Sequence, residues 1–113
     1  MPLPNNWYFL AAEFADVATA ETLTFVVPNN GWIRRVETVL DGALTGTNET
    51  ITVSKNGSAL SPTITITQSG SGAGDYDFAD FFVPVAKGDR ITVATAGNST
   101  GPQGTAVTVT FSK

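Results

Sequence analysis

The residues best suited to chemistry are three aspartates, Asp75, Asp77 and Asp80, in the segment GAGDYDFAD. On an extended strand, residues two apart face the same side. Asp75 and Asp77 could therefore share a calcium ion with carbonyl oxygens of the glycine-rich loop that precedes them. The alternative is that all three are solvated loop and edge residues whose charge discourages pairing with a foreign strand. A role as paired glycosidase carboxylates requires a substrate cleft, which a sandwich of this size rarely provides.

Other reactive arrangements lack their residues. The chain has no histidine and no cysteine, which removes the commonest general base, thiolate metal ligands and nucleophilic triads. No Ser-x-x-Lys, Walker loop or dinucleotide fingerprint occurs, and SGSGAG (residues 69–74) lacks the strand-to-helix setting that phosphate binding needs. Asn48-Glu49-Thr50 and Asn98-Ser99-Thr100 match the glycosylation acceptor pattern. In a chain this rich in asparagine and threonine both are read as chance matches. The expectation is a non-enzyme with no cofactor.

Two groups point to binding. Trp7, Tyr8 and Phe9 are consecutive large aromatics, and neighbours on a strand face opposite ways. At least one is then exposed or covered by another chain, unless the segment lies between sheet and loop and packs all three within the monomer. Arg34 and Arg35 offer planar forks for a partner carboxylate, or are ordinary solvated strand positions.

Only 14% of the 113 residues are charged, against roughly 25% in an average domain. Polarity comes from threonine, serine, asparagine and glycine, which suits strands and turns. The net charge of −4 argues against a nucleic-acid partner, and the six basic residues look mostly scattered along the chain. No apolar run approaches the roughly 20 residues of a membrane span, and the N-terminal segment does not read as a signal peptide. The chain is therefore expected to stay in the cytosol, or to leave it by a route such as lysis.

The elements that hold these residues are strands. Hydrophobic alternation of period two marks TAVTVTF (105–111), ITVAT (91–95), ETITVSK (49–55) and TITIT (63–67). LTFVV (23–27) leads through Pro28-Asn29-Asn30-Gly31 into Trp32–Leu40, where Trp32, Ile33, Val36, Val39 and Leu40 change phase, which predicts a bulge or an end that packs on both sides. A short helix is the rival reading, and the surrounding strands and the turn favour a strand. Asn56-Gly57 predicts a tight hairpin over residues 50–66, with Pro62 at an edge or bulge. In DYDFADFFVPV, Tyr76, Phe78, Phe81 and Val83 are the expected buried positions. Residues 1–9, with Pro2 and Pro4, read as a first strand or an extended docking arm. Residues 1–113 thus form one all-β domain: an antiparallel two-sheet β-sandwich of about eight strands. Jelly-roll topology is preferred over immunoglobulin-like.

Three segments carry a family resemblance: TFVVPNNGWIRRVETVLDGALTGTNETITVSKNG, then SGSGAG, then FFVPVAKGDRITVATAG with a closing VTVTF. In this order they resemble small jelly-roll phage virion proteins that decorate capsids or associate with fibres. Tumour-necrosis-factor-like and C1q-like trimers share that architecture. The resemblance implies a homotrimer on the outer surface of a tailed-phage head, made in the host cytoplasm, gripping the major capsid protein and stabilising the shell. It carries over no catalytic residue. A receptor- or carbohydrate-binding module of a fibre or adhesin is the other class the same features fit.

Overall fold

A computed structural model describes residues 7–100 and 103–113. Among them every regular element is a strand: β1 (Trp7–Phe14), β2 (Glu21–Val26), β3 (Gly31–Leu40), β4 (Glu49–Lys55), β5 (Ser58–Ala59), β6 (Ile64–Ile66), β7 (Tyr76–Val85), β8 (Arg90–Thr95) and β9 (Thr105–Ser112). The sequence alternation becomes two faces. Val107, Val109 and Phe111 of β9, Ile51 and Val53 of β4, and Ile91 and Val93 of β8 are all buried, while their polar neighbours point away.

One sheet runs β1-β9-β3-β7 and the other β2-β8-β4, with β5 and β6 both pairing with β4; all pairings are antiparallel. Strands therefore cross from one sheet to the other at nearly every connection, and the result is a jelly roll. The β5 and β6 segments occupy one edge position, so nine segments fill the eight expected places. Pro62 lies between them, where a missing N–H is tolerated only at an edge. At the hairpin turn Asn56 and Gly57 have φ of 50° and 90°, the left-handed pair that matches strand twist.

One open alternative is resolved and one expectation needs correction. Trp7, Tyr8 and Phe9 are not part of an arm: β1 pairs in unbroken register with β9, from Trp7 opposite Ser112 to Phe14 opposite Thr105. Residues 1–6 lie outside the described residues. Tyr76 and Phe78 are exposed rather than buried. Ala79, Phe81 and Val85 take the inner face of β7, and the opposite parity leaves Tyr76, Phe78 and Phe82 outside.

The sandwich has two unlike ends. Short turns β2–β3, β4–β5 and β7–β8 close one; longer segments 15–20, 41–48, 67–75 and 96–100 close the other. Glu49 secures the long-loop end. It shares the inward parity of Ile51 and Val53 and is fully buried. Its carboxylate accepts from the backbone N–H groups of Asn98 (2.9 Å) and Ser99 (3.0 Å) and from the Ser99 hydroxyl (2.7 Å). Burial alone would raise its pKa; the hydrogen bonds from Ser99 and Asn98 outweigh burial and hold it below the ordinary value.

Candidate functional site

The outer face of the β1-β9-β3-β7 sheet carries the unusual side chains. Its geometry starts from a bulge. Ile33 sits opposite Phe111 while Arg35 sits opposite Thr110, so Arg34 is an extra residue on β3. A bulge places two consecutive side chains on one face, and both Arg34 and Arg35 point outward. Across the other edge, Ile33 pairs with Val83 and Arg35 with Asp80, leaving Phe81 and Phe82 opposite Arg34 alone. Phe81 turns into the core and Phe82 turns out.

Each arginine lies on rings. The Arg34 guanidinium is 4.9 Å from the Trp7 ring and 4.9 Å from the Phe82 ring, linking the two outer strands across β9 and β3. Phe82 also stacks on Trp32, with centroids 4.3 Å apart and planes 12° from parallel. The Arg35 guanidinium sits 4.4 Å from the Phe78 ring and forks onto Asp80 through contacts of 2.6 and 3.3 Å. That hydrogen bond holds the Arg35 pKa above its ordinary value. The Tyr76 hydroxyl donates to Glu37 at 2.7 Å; burial first, then the Glu37 carboxylate, pushes the phenol upward. Exposed cation–ring contacts contribute roughly 0.5–1 kcal/mol each, enough to set the side-chain directions of this face.

Large apolar surface remains uncovered. Phe9 is 57% exposed, Phe82 64%, Phe78 47% and Tyr76 48%. Between them a groove of about 390 Å³ is lined by Trp7, Arg34, Arg35, Glu37, Asp80, Phe81 and Thr110. The charged groups beside it are largely engaged with one another or with rings. Flat ring faces and the Arg34 cation are what the face offers a partner.

Of the expected binding residues, Trp7, Phe9, Arg34 and Arg35 meet on this surface. Tyr8 does not. It faces inward, stacks on Phe111 at 5.0 Å, and donates from its hydroxyl to the Asn29 carbonyl at 3.5 Å. Burial raises its pKa, and the Asn29 bond partly offsets that. Trp32, Phe78 and Phe82 belong to the surface and were missed. No local signal separated the faces of β7: Asp80 shares a face with Tyr76 and Phe78, but Asp77 shares the other with Ala79 and Phe81.

The three aspartates are not gathered. Asp75 accepts the Gly72 N–H at 3.0 Å as part of a turn, Asp77 is half-buried on the inner side, and Asp80 is on the opposite face with Arg35. Burial, then the charge of Asp75, pushes the Asp77 carboxyl upward. Among the described residues no group of three or more metal-ligating side chains converges.

No family model and no curated protein matches the sequence. Solved structures match in fold. The catalytic unit of a GH87 α-1,3-glucanase from Streptomyces thermodiastaticus aligns with TM-score 0.54 and 16% identity over 96% of this chain. This chain spans only 26% of that unit. A family 35 carbohydrate-binding module from Clostridium thermocellum aligns with TM-score 0.53 and 14% identity, covering 95% of this chain and 92% of the module. The Eiger TNF of S. frugiperda aligns with TM-score 0.47 and 10% identity over 89% of this chain and 91% of its own. The chain thus has a jelly-roll β-sandwich fold, which it shares with the family 35 carbohydrate-binding module.

Proposed function

We propose that this chain is a non-catalytic structural protein of a virion surface: a homotrimer that binds the major capsid protein on the outside of a tailed-phage head and stabilises the shell. The observation behind it is the outer face of the β1-β9-β3-β7 sheet, where Phe9, Phe78, Phe82 and Tyr76 stay about half exposed or more beside Trp7, Trp32 and two arginines. A contiguous exposed apolar surface on a small domain marks an interaction site, and tryptophan, tyrosine and arginine are the preferred anchors of protein interfaces. Phenylalanine offers water no hydrogen bond, so burying these rings against another chain is favourable at about 25 cal/mol per Å². A 113-residue domain also gains stability from association that its own limited core cannot supply. The assignment to a phage shell rests on the resemblance of the sequence segments, in their order, to small phage virion proteins.

A second reading, a carbohydrate-binding module, draws on the Trp7-lined groove and on the likeness of fold to the family 35 module. Sugar recognition needs ring faces flanked by free hydrogen-bonding groups. Here Arg35 is consumed by Asp80 and Glu37 by Tyr76, which ranks this reading below the first.

Sedimentation equilibrium and a glycan array separate the two. A mass three times that of the 11.8 kDa chain with no glycan bound supports the trimeric assembly protein. A monomer that binds a defined glycan rejects it in favour of the second reading.

A further inference from the structure

We infer that the short-turn end of the sandwich is a cationic docking face for an acidic protein surface. The six basic residues come from four separate stretches of the sequence, yet the fold brings all of them to this half of the molecule. Lys55, Lys87 and Arg90 flank the β4–β5 and β7–β8 turns, Lys113 follows β9 beside Gly31, and Arg34 and Arg35 lie on the adjoining part of β3. Only two of the ten acidic residues share that half, and both are engaged. Asp80 pairs with Arg35. Asp89 accepts the Ala86 N–H at 2.8 Å and the Asn56 amide at 3.1 Å, and lies 3.9 Å from Lys55. Among the described residues Lys87, Arg90 and Lys113 form no ion pair. Glu37, beside Arg35 in the groove of the outer sheet face, marks the boundary. The other seven carboxylates, Glu13, Asp16, Glu21, Asp41 and Asp75 among them, lie toward the long-loop end with no basic side chain among them. Residues 1–6 and 101–102 carry no charged side chain, so every charged side chain lies among the described residues.

The separation makes the charge usable. A ten-residue strand spans about 33 Å, while charges are screened over about 10 Å at 0.1 M salt. A partner at one end feels little of the other. A protein of net charge −4 thereby presents a positive face to one side and a negative face to the opposite side. An acidic surface would steer its approach and fix which end lands. β1 begins and β9 ends at this same end, with Trp7 opposite Ser112, beside the docked surface. The partner's identity as a shell rests on the proposed function; the cationic face does not.

The probe is immobilised poly-L-glutamate at neutral pH and about 0.05 M salt, where the screening length is still on the order of 10 Å. The intact protein binds it despite its acidic pI. Lys87→Glu with Arg90→Glu weakens binding by about tenfold or more, whereas Glu13→Gln with Glu21→Gln changes it by less than about twofold. No binding by the unaltered protein overturns the inference, as does equal binding by the charge-reversed variant. Duplex DNA bound as tightly as polyglutamate overturns it in favour of a general polyanion site. Sedimentation of the charge-reversed variant gives the same mass as the unaltered protein; failure of the trimer reading appears there and not in the polyglutamate result.

Discussion

Replacing Glu49 by glutamine tests how the long-loop end is held together. The carboxylate is fully buried and accepts three hydrogen bonds from residues of the β8–β9 connection. Glutamine keeps the shape, but its amide nitrogen must face either the Asn98 N–H or the Ser99 pair. At least one buried donor is orphaned, at about 1–3 kcal/mol, and the remaining bonds lose their charge assistance. The expected loss of stability is about 2 kcal/mol, or roughly 8 °C in melting temperature for a domain near this size. The effect is pH-dependent. The folded-state pKa lies below the ordinary value, so the carboxylate stabilises the fold fully above the unfolded pKa of about 4.3. That contribution is lost as pH falls through the lower folded value. Asp77, shifted upward, acts with the opposite sign: its protonated form favours the fold, and that stabilisation is lost as pH rises through its folded value. It is common to both proteins and cancels in the difference. Urea denaturation of both proteins from neutral pH down to strong acid measures the gap. A gap under about 0.5 kcal/mol at neutral pH, or one that does not narrow in acid, refutes the reasoning.

Further outcomes are specific. Gly97→Ala should cost about 2–3 kcal/mol in urea denaturation, because φ is +72° and a Cβ would lie 2.6 Å from the backbone nitrogen of Ala20; a neutral result contradicts the packing there. Breaking the Arg35–Asp80 pair with Asp80→Asn should change stability by under about 1 kcal/mol in the same assay, since both side chains are substantially exposed.

The sheet architecture was legible because threonine and valine alternate through β4, β8 and β9 and because Asn56-Gly57 permits one kind of turn. The Trp32–Leu40 phase change foretold the β3 bulge. Other features depend on partners distant in sequence. Nothing near Trp7 says that it pairs beside Ser112, 105 positions later, and that pairing turned a candidate arm into a strand. In β7 both parities carry aromatics, so hydrophobicity alone chose the wrong face for Tyr76 and Phe78. Glu49 was unread as a buried group, although its parity with Ile51 and Val53 announced it. The basic residues look dispersed because antiparallel strands return to the same end after each reversal, at intervals no local pattern reveals.

The most direct measurement is hydroxyl-radical footprinting of Phe9, Phe78 and Phe82 across a dilution series, with sedimentation giving the mass at each concentration. If copies meet through the outer face of the β1-β9-β3-β7 sheet, these rings lose reactivity as the trimer forms while buried Phe111 stays unreactive throughout. Rings that react in the assembled species as readily as in the monomer would contradict it.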